Sequence, residues 1–117
     1  MVPAYSQKAS QKWFAKHEEW WTFFDEWGEP MILRNNPRGP ILYVWPDEAG
    51  ANRWRNHEMT NSGATFMRTW QPRSANRRTV AQLFNSEGCR ILALGHTDAR
   101  GGAILEDLHG RGLQVDD

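Results

Sequence analysis

The sequence predicts a single α+β domain over residues 1–117, with a three-stranded antiparallel meander and one C-terminal strand covered by three to four short helices. Its 117 residues, 13.6 kDa in all, suffice for one hydrophobic core and leave no room for a second domain. Dense aromatic and β-branched runs bounded by Gly and Pro turns indicate strands, whereas apolar residues spaced three and four apart indicate helices. Both kinds of segment occur, so the chain is assigned to the mixed class.

The first helix is predicted over roughly residues 6–18, where large side chains recur at steps of three and four among polar ones. The spacing is carried by Ala9, Trp13, His17 and Trp20. The next run, Trp20–Phe24, is aromatic with a β-branched threonine and favours a strand. Asp25–Gly28 ends in the glycine that a short hairpin loop prefers, so Met31–Arg34 is predicted to return as a second strand.

The third strand, Ile41–Trp45, follows a type I turn predicted at Asn36–Gly39 and completes the meander. Large apolar side chains occupy both the odd and the even positions of this strand, so both faces of the sheet must be covered by other groups. We therefore expect either a monomer whose helices cover both faces or a homodimer with a tryptophan-containing interface. Trp45 has neighbours on both sides and is expected in the core.

A second helix is predicted from Pro46-Asp47 through Arg55, because proline suits a helix start and aspartate suits its cap or first turn. The polar stretch Asn56–Gly63 that follows is interpreted as a loop. The short segment Ala64–Trp70, which Pro72 closes, is left without an assigned type.

The third helix is predicted from Ser74 or Asn76 to Glu87, with Gly88 as its left-handed terminator. Its buried stripe consists of Val80, Leu83 and Phe84. A short buried strand, Cys89–Leu94, and a turn-rich loop at residues 96–102 come next. Residues 103–109 then fit either a helix or a strand that returns beside Cys89–Leu94.

Side chains able to do chemistry do not assemble into a recognisable site. No histidine spacing is stronger than His96-x-Asp98, so no metal is predicted. The single Cys89 excludes an intramolecular disulfide and begins a buried strand, where a thiol behaves as a small apolar residue. The carboxylate pairs Glu18-Glu19 and Asp25-Glu26 are interpreted as solvated charge. No cofactor and no catalytic residue are predicted, and an enzyme of unrecognised type is the third hypothesis for the function.

Tryptophan content and charge distribution point instead to a binding function. All seven tryptophans lie in the first 70 residues, and a small core rarely buries so many completely. Residues 34–100 hold 10 basic and 5 acidic side chains, and every basic one is arginine. Tryptophan and arginine dominate binding energy at protein interfaces. The predicted partner-binding residues are Trp27, Arg38, Arg53, Trp54, Arg55, Arg73, Arg77 and Arg78.

Trp27 is the residue on which the binding prediction depends, because it stands at the tip of the Asp25–Gly28 turn. The alternative is that Trp27 folds back over the first helix beside Trp13. The predicted function is a non-enzymatic module that binds a protein partner, as inhibitors and immunity proteins do. A nucleic-acid-associated protein that uses the arginine-rich middle is the alternative. No apolar run reaches the roughly 20 residues needed to span a bilayer and no secretory signal is recognisable, so a cytoplasmic location is predicted.

Two resemblances to known families accompany these predictions. The run Glu19–Gly28, the segment Tyr43–Pro46 with the residues up to Trp54, and the closing helix and strand resemble a small bacterial domain family of unknown function. That resemblance implies a compact α+β fold. The segment Gly95–Gly101 resembles a loop of the peptidoglycan-binding domain of OmpA-like outer-membrane proteins, where the aspartate matching Asp98 helps hold a diaminopimelate group. That family's following helix is missing here, so no function is carried over from it.

Overall fold

A four-stranded sheet and a two-stranded ladder organise the chain in the computed structural model, which describes residues 7–61, 63, 68–95 and 103–114. The elements are α1 (Gln7–Lys16), β1 (Glu19–Phe24), β2 (Ile32–Leu33), β3 (Ile41–Val44), α2 (Glu48–Asn61), β4 (Gln71–Asn76), α3 (Arg77–Ser86), β5 (Ile91–Leu94) and β6 (Ala103–Glu106). The predicted α+β class is confirmed. None of the described helices is long and apolar enough to cross a membrane.

The larger sheet has the order β2-β3-β5-β6 and mixes both kinds of pairing. The outer pairs are antiparallel, whereas the central strands β3 and β5 run parallel from Ile41↔Ile91 to Val44↔Leu94. Parallel strands are covered on both faces, so their sequences read as continuous apolar runs. This explains why ILYV in β3 and ILAL in β5 show no alternation of apolar and polar residues.

The smaller sheet pairs β1 with β4 in an antiparallel register that runs from Glu19↔Asn76 to Phe24↔Gln71. Two isolated bridges, Trp21↔Trp45 and Phe24↔Pro30, join β1 to the chain around the larger sheet. The Trp21 and Trp45 backbones exchange two N–H···O bonds of 2.8 Å each. The two sheets are therefore connected through β1 by backbone hydrogen bonds.

The main partner of β1 differs from the predicted meander. The hairpin turn after Phe24 forms, but only the Phe24↔Pro30 bridge follows it, and β2 pairs with β3. The bridge is held by the Asp25 N–H on the Glu29 carbonyl and the Met31 N–H on the Phe23 carbonyl, each at 2.9 Å. Pro30 is tolerated between them because an N–H at that position would point away from β1. Strand β1 instead pairs along its whole length with β4. This strand was not predicted because Gln71–Asn76 is polar and contains Pro72.

Two further segments differ from, or complete, the predictions. The predicted loop at residues 56–63 is wrong over its first part, because α2 continues to Asn61. The Asp47 carboxylate caps the start of this helix by accepting from the Gly50 N–H at 2.6 Å. Residues 103–106, which fitted helix or strand, form β6, because Leu105 pairs with Leu92 at the edge of the sheet. The predicted loop at 96–102 lies outside the described residues.

The helices α1 and α3 form where they were predicted, and local side chains explain both ends of α3. The Asn76 side chain accepts a 2.8 Å hydrogen bond from the Thr79 N–H, as a helix cap does. Gly88 has a φ of +67°, the left-handed conformation that terminates a helix, and the Cys89 N–H bonds back to the Phe84 carbonyl at 2.9 Å. The predicted terminator Gly88 is therefore confirmed, and of the two predicted starts, Ser74 and Asn76, the structure has Asn76 as the cap.

The core divides into two clusters because successive residues of β3 point to opposite faces. The main core lies on the Leu42 and Val44 side, where α1 supplies Phe14 and α3 supplies Phe84. On the other side, Trp45 packs with Phe23 and Ala51. We call this second group the aromatic cluster, and its partly buried members are Trp21, Met31, Tyr43, Trp54 and Trp70. Residues of this chain thus cover both sides of β3, and the homodimer stays a prediction.

Strand β6 lies at an edge of the larger sheet, and a side chain of α1 occupies part of that edge. The Gln7 carboxamide donates to the Glu106 carbonyl at 3.0 Å and accepts from the Glu106 N–H at 3.2 Å. This pair of bonds imitates one rung of a β-ladder. It occupies backbone groups that could otherwise pair with another chain.

We expect the substitution Gln7→Ala to lower the free energy of unfolding by about 1 kcal/mol and to promote association, because it leaves two edge groups without a protein partner. Urea unfolding and light scattering measure the two effects. Gln11→Ala on the same helix is the matched control, since Gln11 is exposed. Equal behaviour of the two variants would show that the Gln7 bonds contribute nothing.

Candidate binding surface

The turn between β1 and β2 is closed by four hydrogen bonds, three of which involve residue 25 as acceptor. The Asp25 Oδ1 atom accepts from the backbone N–H groups of Trp27 and Glu29, each at 2.9 Å, and the Asp25 carbonyl accepts from Gly28 at 3.1 Å. The Asp25 N–H donates to the Glu29 carbonyl at 2.9 Å. Gly28 has a φ of +81°, which favours glycine. We call residues 25–29 the Trp27 turn.

The indole of Trp27 lies at the tip of this turn and is 79% exposed. Other tryptophans are far less accessible: Trp20 and Trp45 are 0% and 2% exposed, and the remaining four are half-buried. The alternative in which Trp27 folds back beside Trp13 is therefore wrong. Trp45 lies in the core, as predicted.

Acidic residues are close to Trp27 in the sequence of this turn. The Trp27 turn contains Asp25, Glu26 and Glu29, and the two glutamates are exposed. Arg73 is the predicted site residue that the structure brings to this end of β1, where its guanidinium lies 5.7 Å from the centre of the Phe24 ring. From the sequence, Asp25 and Glu26 are interpreted as solvated charge, and Glu29 is not singled out.

The other predicted binding residues lie in separate places. Trp54 belongs to the aromatic cluster, with its ring 5.0 Å from that of Trp45, and the Arg55 guanidinium lies against this cluster, 6.0 Å from the centre of the Phe23 ring. The Arg55 Nη1 atom also donates to the Trp70 carbonyl at 2.7 Å. These two side chains therefore pack the aromatic cluster against neighbouring elements.

Two of the remaining arginines form ion pairs across the fold. Arg38 pairs with Glu106 at 2.7 Å, and Arg77 pairs with Glu18 at 2.8 Å. Arg53 and Arg78 are exposed on α2 and α3. The eight predicted residues thus do not form one patch, and Arg73 is the one whose guanidinium packs on Phe24, the last residue of β1 before the Trp27 turn.

Two potentially reactive groups, the Cys89 thiol and the Tyr43 hydroxyl, have raised pKa values. Burial raises the pKa of the Cys89 thiol to about 11, an effect that Arg34 opposes and Glu87 assists, so the thiol stays protonated at neutral pH. Burial and the charge of Glu58 raise the pKa of Tyr43. Within the described ranges, no three His, Cys, Asp or Glu side chains come together as metal ligands. His96 and Asp98 lie outside those ranges.

An open depression of about 360 Å³ lies beside Cys89 and the C-terminal turn at residues 107–112. Its Asp107 carboxylate accepts from the Arg111 N–H at 2.9 Å and the Gly112 N–H at 2.8 Å. Desolvation opposes ionisation there, yet these bonds and Arg90 lower the pKa of Asp107. The Arg90 guanidinium is itself held by the Asp107 carbonyl. The polar groups of this depression therefore hold the C-terminal turn in place.

Comparison with protein-family models, with curated proteins and with solved structures gives no significant match. The family resemblances drawn from the residues therefore stay predictions. The function has to be argued from the surface itself.

Proposed function

We propose that this protein is a non-enzymatic module that binds another protein through the Trp27 turn, in the manner of small inhibitor or immunity proteins. The observation that carries the proposal is the 79% exposure of a tryptophan on a turn that its own hydrogen bonds close. An indole exposed to water contributes nothing to the core. Its apolar surface becomes favourable only when another surface covers it.

The hydrogen bonds of the turn support the proposal because they reduce the cost of binding. A flexible loop loses conformational freedom when a partner orders it, and that loss subtracts from the affinity. Asp25 already holds the backbone of Trp27 and Glu29 in place. A tryptophan presented on such a turn has the character of an interface hot spot, where truncation costs about 2 kcal/mol or more.

The nucleic-acid alternative has weaker support than the protein-binding proposal. Several arginines of the middle segment are engaged within the fold, including Arg34 with Glu87, Arg38 with Glu106 and Arg77 with Glu18. The exposed indole lies among carboxylates, which repel phosphate. Binding to a duplex oligonucleotide at two salt concentrations tests this alternative, and a hydrolase screen tests an enzyme.

We expect the substitution Trp27→Ala to weaken binding to a partner captured from bacterial lysate at least about tenfold while the free energy of unfolding changes by less than about 0.5 kcal/mol. Surface plasmon resonance measures the first quantity and urea unfolding the second. Leu108→Ala is the matched control, because Leu108 is another exposed apolar side chain, at 62%. Undiminished capture by the Trp27 variant, or a large loss of its stability, contradicts the proposal.

A further inference from the structure

The charge around Trp27 indicates what kind of surface covers it. We propose that the partner contacts Trp27 with an apolar socket whose rim carries lysine or arginine side chains. The inference rests on the proposed function and adds the chemistry of the partner to it.

The carboxylates of the turn are not neutralised by the chain itself. Asp25, Glu26 and Glu29 place three acidic groups within five residues. Neither Glu26 nor Glu29 forms an ion pair in the part of the chain that the structure describes. Arg73, at the same end of β1, directs its guanidinium towards the Phe24 ring, 5.7 Å from its centre.

Three other glutamates of the protein form ion pairs within the fold. Glu18, Glu87 and Glu106 each accept from an arginine at 2.6 to 2.8 Å. The fold thus supplies a cation to these three carboxylates and none to the two glutamates that flank the exposed indole. Their charge is available to whatever surface approaches Trp27.

Binding over Trp27 must remove water from these neighbouring carboxylates. Removing water from a charge is unfavourable unless an opposite charge replaces the lost hydration. A partner with cations around an apolar socket meets this condition and is also steered towards the turn. Phosphate groups, anionic lipids and a second copy of the same turn bring further negative charge, so they are disfavoured at this surface.

The experiment follows the indole N–H resonance of Trp27 in the ¹⁵N-labelled full chain, assigned by its loss in Trp27→Phe. The probes are two amphipathic peptides with identical leucines, one with lysines and one with glutamates on the polar face, and a DNA duplex. We expect the lysine peptide alone to shift this resonance. Its affinity should fall as the salt concentration rises, because exposed charges are screened.

The variant E26Q/E29Q removes the negative charges of the two glutamates and so tests their role. We expect it to bind the lysine peptide about threefold to tenfold more weakly at low salt and to approach the wild-type affinity at high salt. Glu19→Gln is the matched control, because Glu19 is an exposed glutamate at the far end of β1. Its affinity should stay at the wild-type value.

Three outcomes overturn this inference: an equal response to the glutamate peptide or the DNA, no response to the lysine peptide, or unchanged binding by E26Q/E29Q. An equal response to all peptides leaves Trp27 as a contact residue, so it refutes the cationic rim and keeps the proposed function. The proposed function is tested by a different experiment: it is refuted if the Trp27→Ala variant captures the lysate partner as well as the wild type does.

Discussion

Replacing Trp20 by alanine should lower the free energy of unfolding by about 3 to 5 kcal/mol, the largest effect expected of any single side chain in this protein. Trp20 is completely buried in the main core. Its ring lies 5.6 Å from that of Phe14 and 4.9 Å from that of His17, and its Nε1 atom donates to the His17 carbonyl at 2.8 Å. Truncation leaves a cavity and an unpaired carbonyl.

Urea unfolding measures this loss, and Trp27→Ala provides the matched control. Each variant removes one indole side chain: Trp20→Ala removes it from a fully buried site, and Trp27→Ala removes it from the exposed tip of a turn. The substitution Trp20→Phe should give an intermediate loss, because it keeps an aromatic ring and removes the hydrogen bond to His17. Similar losses for Trp20→Ala and Trp27→Ala would mean that burial in the main core does not decide stability.

The second large effect is expected at Gly95, where the substitution Gly95→Ala should cost about 3 kcal/mol. A Cβ atom at this position would overlap Nε1 and Cδ1 of the Trp45 indole. That indole cannot move aside easily, since it is 2% exposed and its ring lies 5.2 Å from Phe23 and 5.0 Å from Trp54. Glycine at position 95 is therefore required by the close approach of Trp45.

A double-mutant cycle separates this clash from a general effect of losing glycine. In Gly95→Ala combined with Trp45→Leu, the smaller side chain makes room for the new methyl group, so the combined loss should be smaller than the sum. Gly88→Ala serves as a control: a Cβ there meets open space, and the φ of +67° alone costs about 1 kcal/mol. Strict additivity at Gly95 and Trp45 would refute the clash.

Elements governed by neighbouring residues could be predicted from the sequence. Helix α3 has its cap at Asn76 and its terminator at Gly88, each within reach of the helix end that it stabilises. The turn at Asn36–Gly39 likewise depends on nearby atoms, because the Asn36 side chain accepts from the Arg38 N–H at 2.8 Å. The position of Trp27 in a turn is likewise local, whereas the choice between an exposed indole and one folded back beside Trp13 is made only by the structure.

Features that depend on distant residues escaped prediction. Strand β4 is polar, and only its ladder with β1 makes it a strand. The arginine pairs are similar cases, because Arg38 finds Glu106 across 68 positions and Arg77 finds Glu18 across 59. Sequence analysis could therefore identify an arginine-rich middle but could not determine which of its charges the fold neutralises.

The pairing of distant strands in both sheets also has a consequence for folding during synthesis. Strands β1 and β3 each pair with a strand about fifty residues further along the chain. Each of these strands is therefore synthesised about fifty residues before the strand that pairs with it. Closing loops of this length is entropically costly, and chains of this kind fold slowly. Until the partner strands are made, the aromatic side chains of β1 and the apolar side chains of β3 lack their final packing, and exposed segments of this kind favour aggregation.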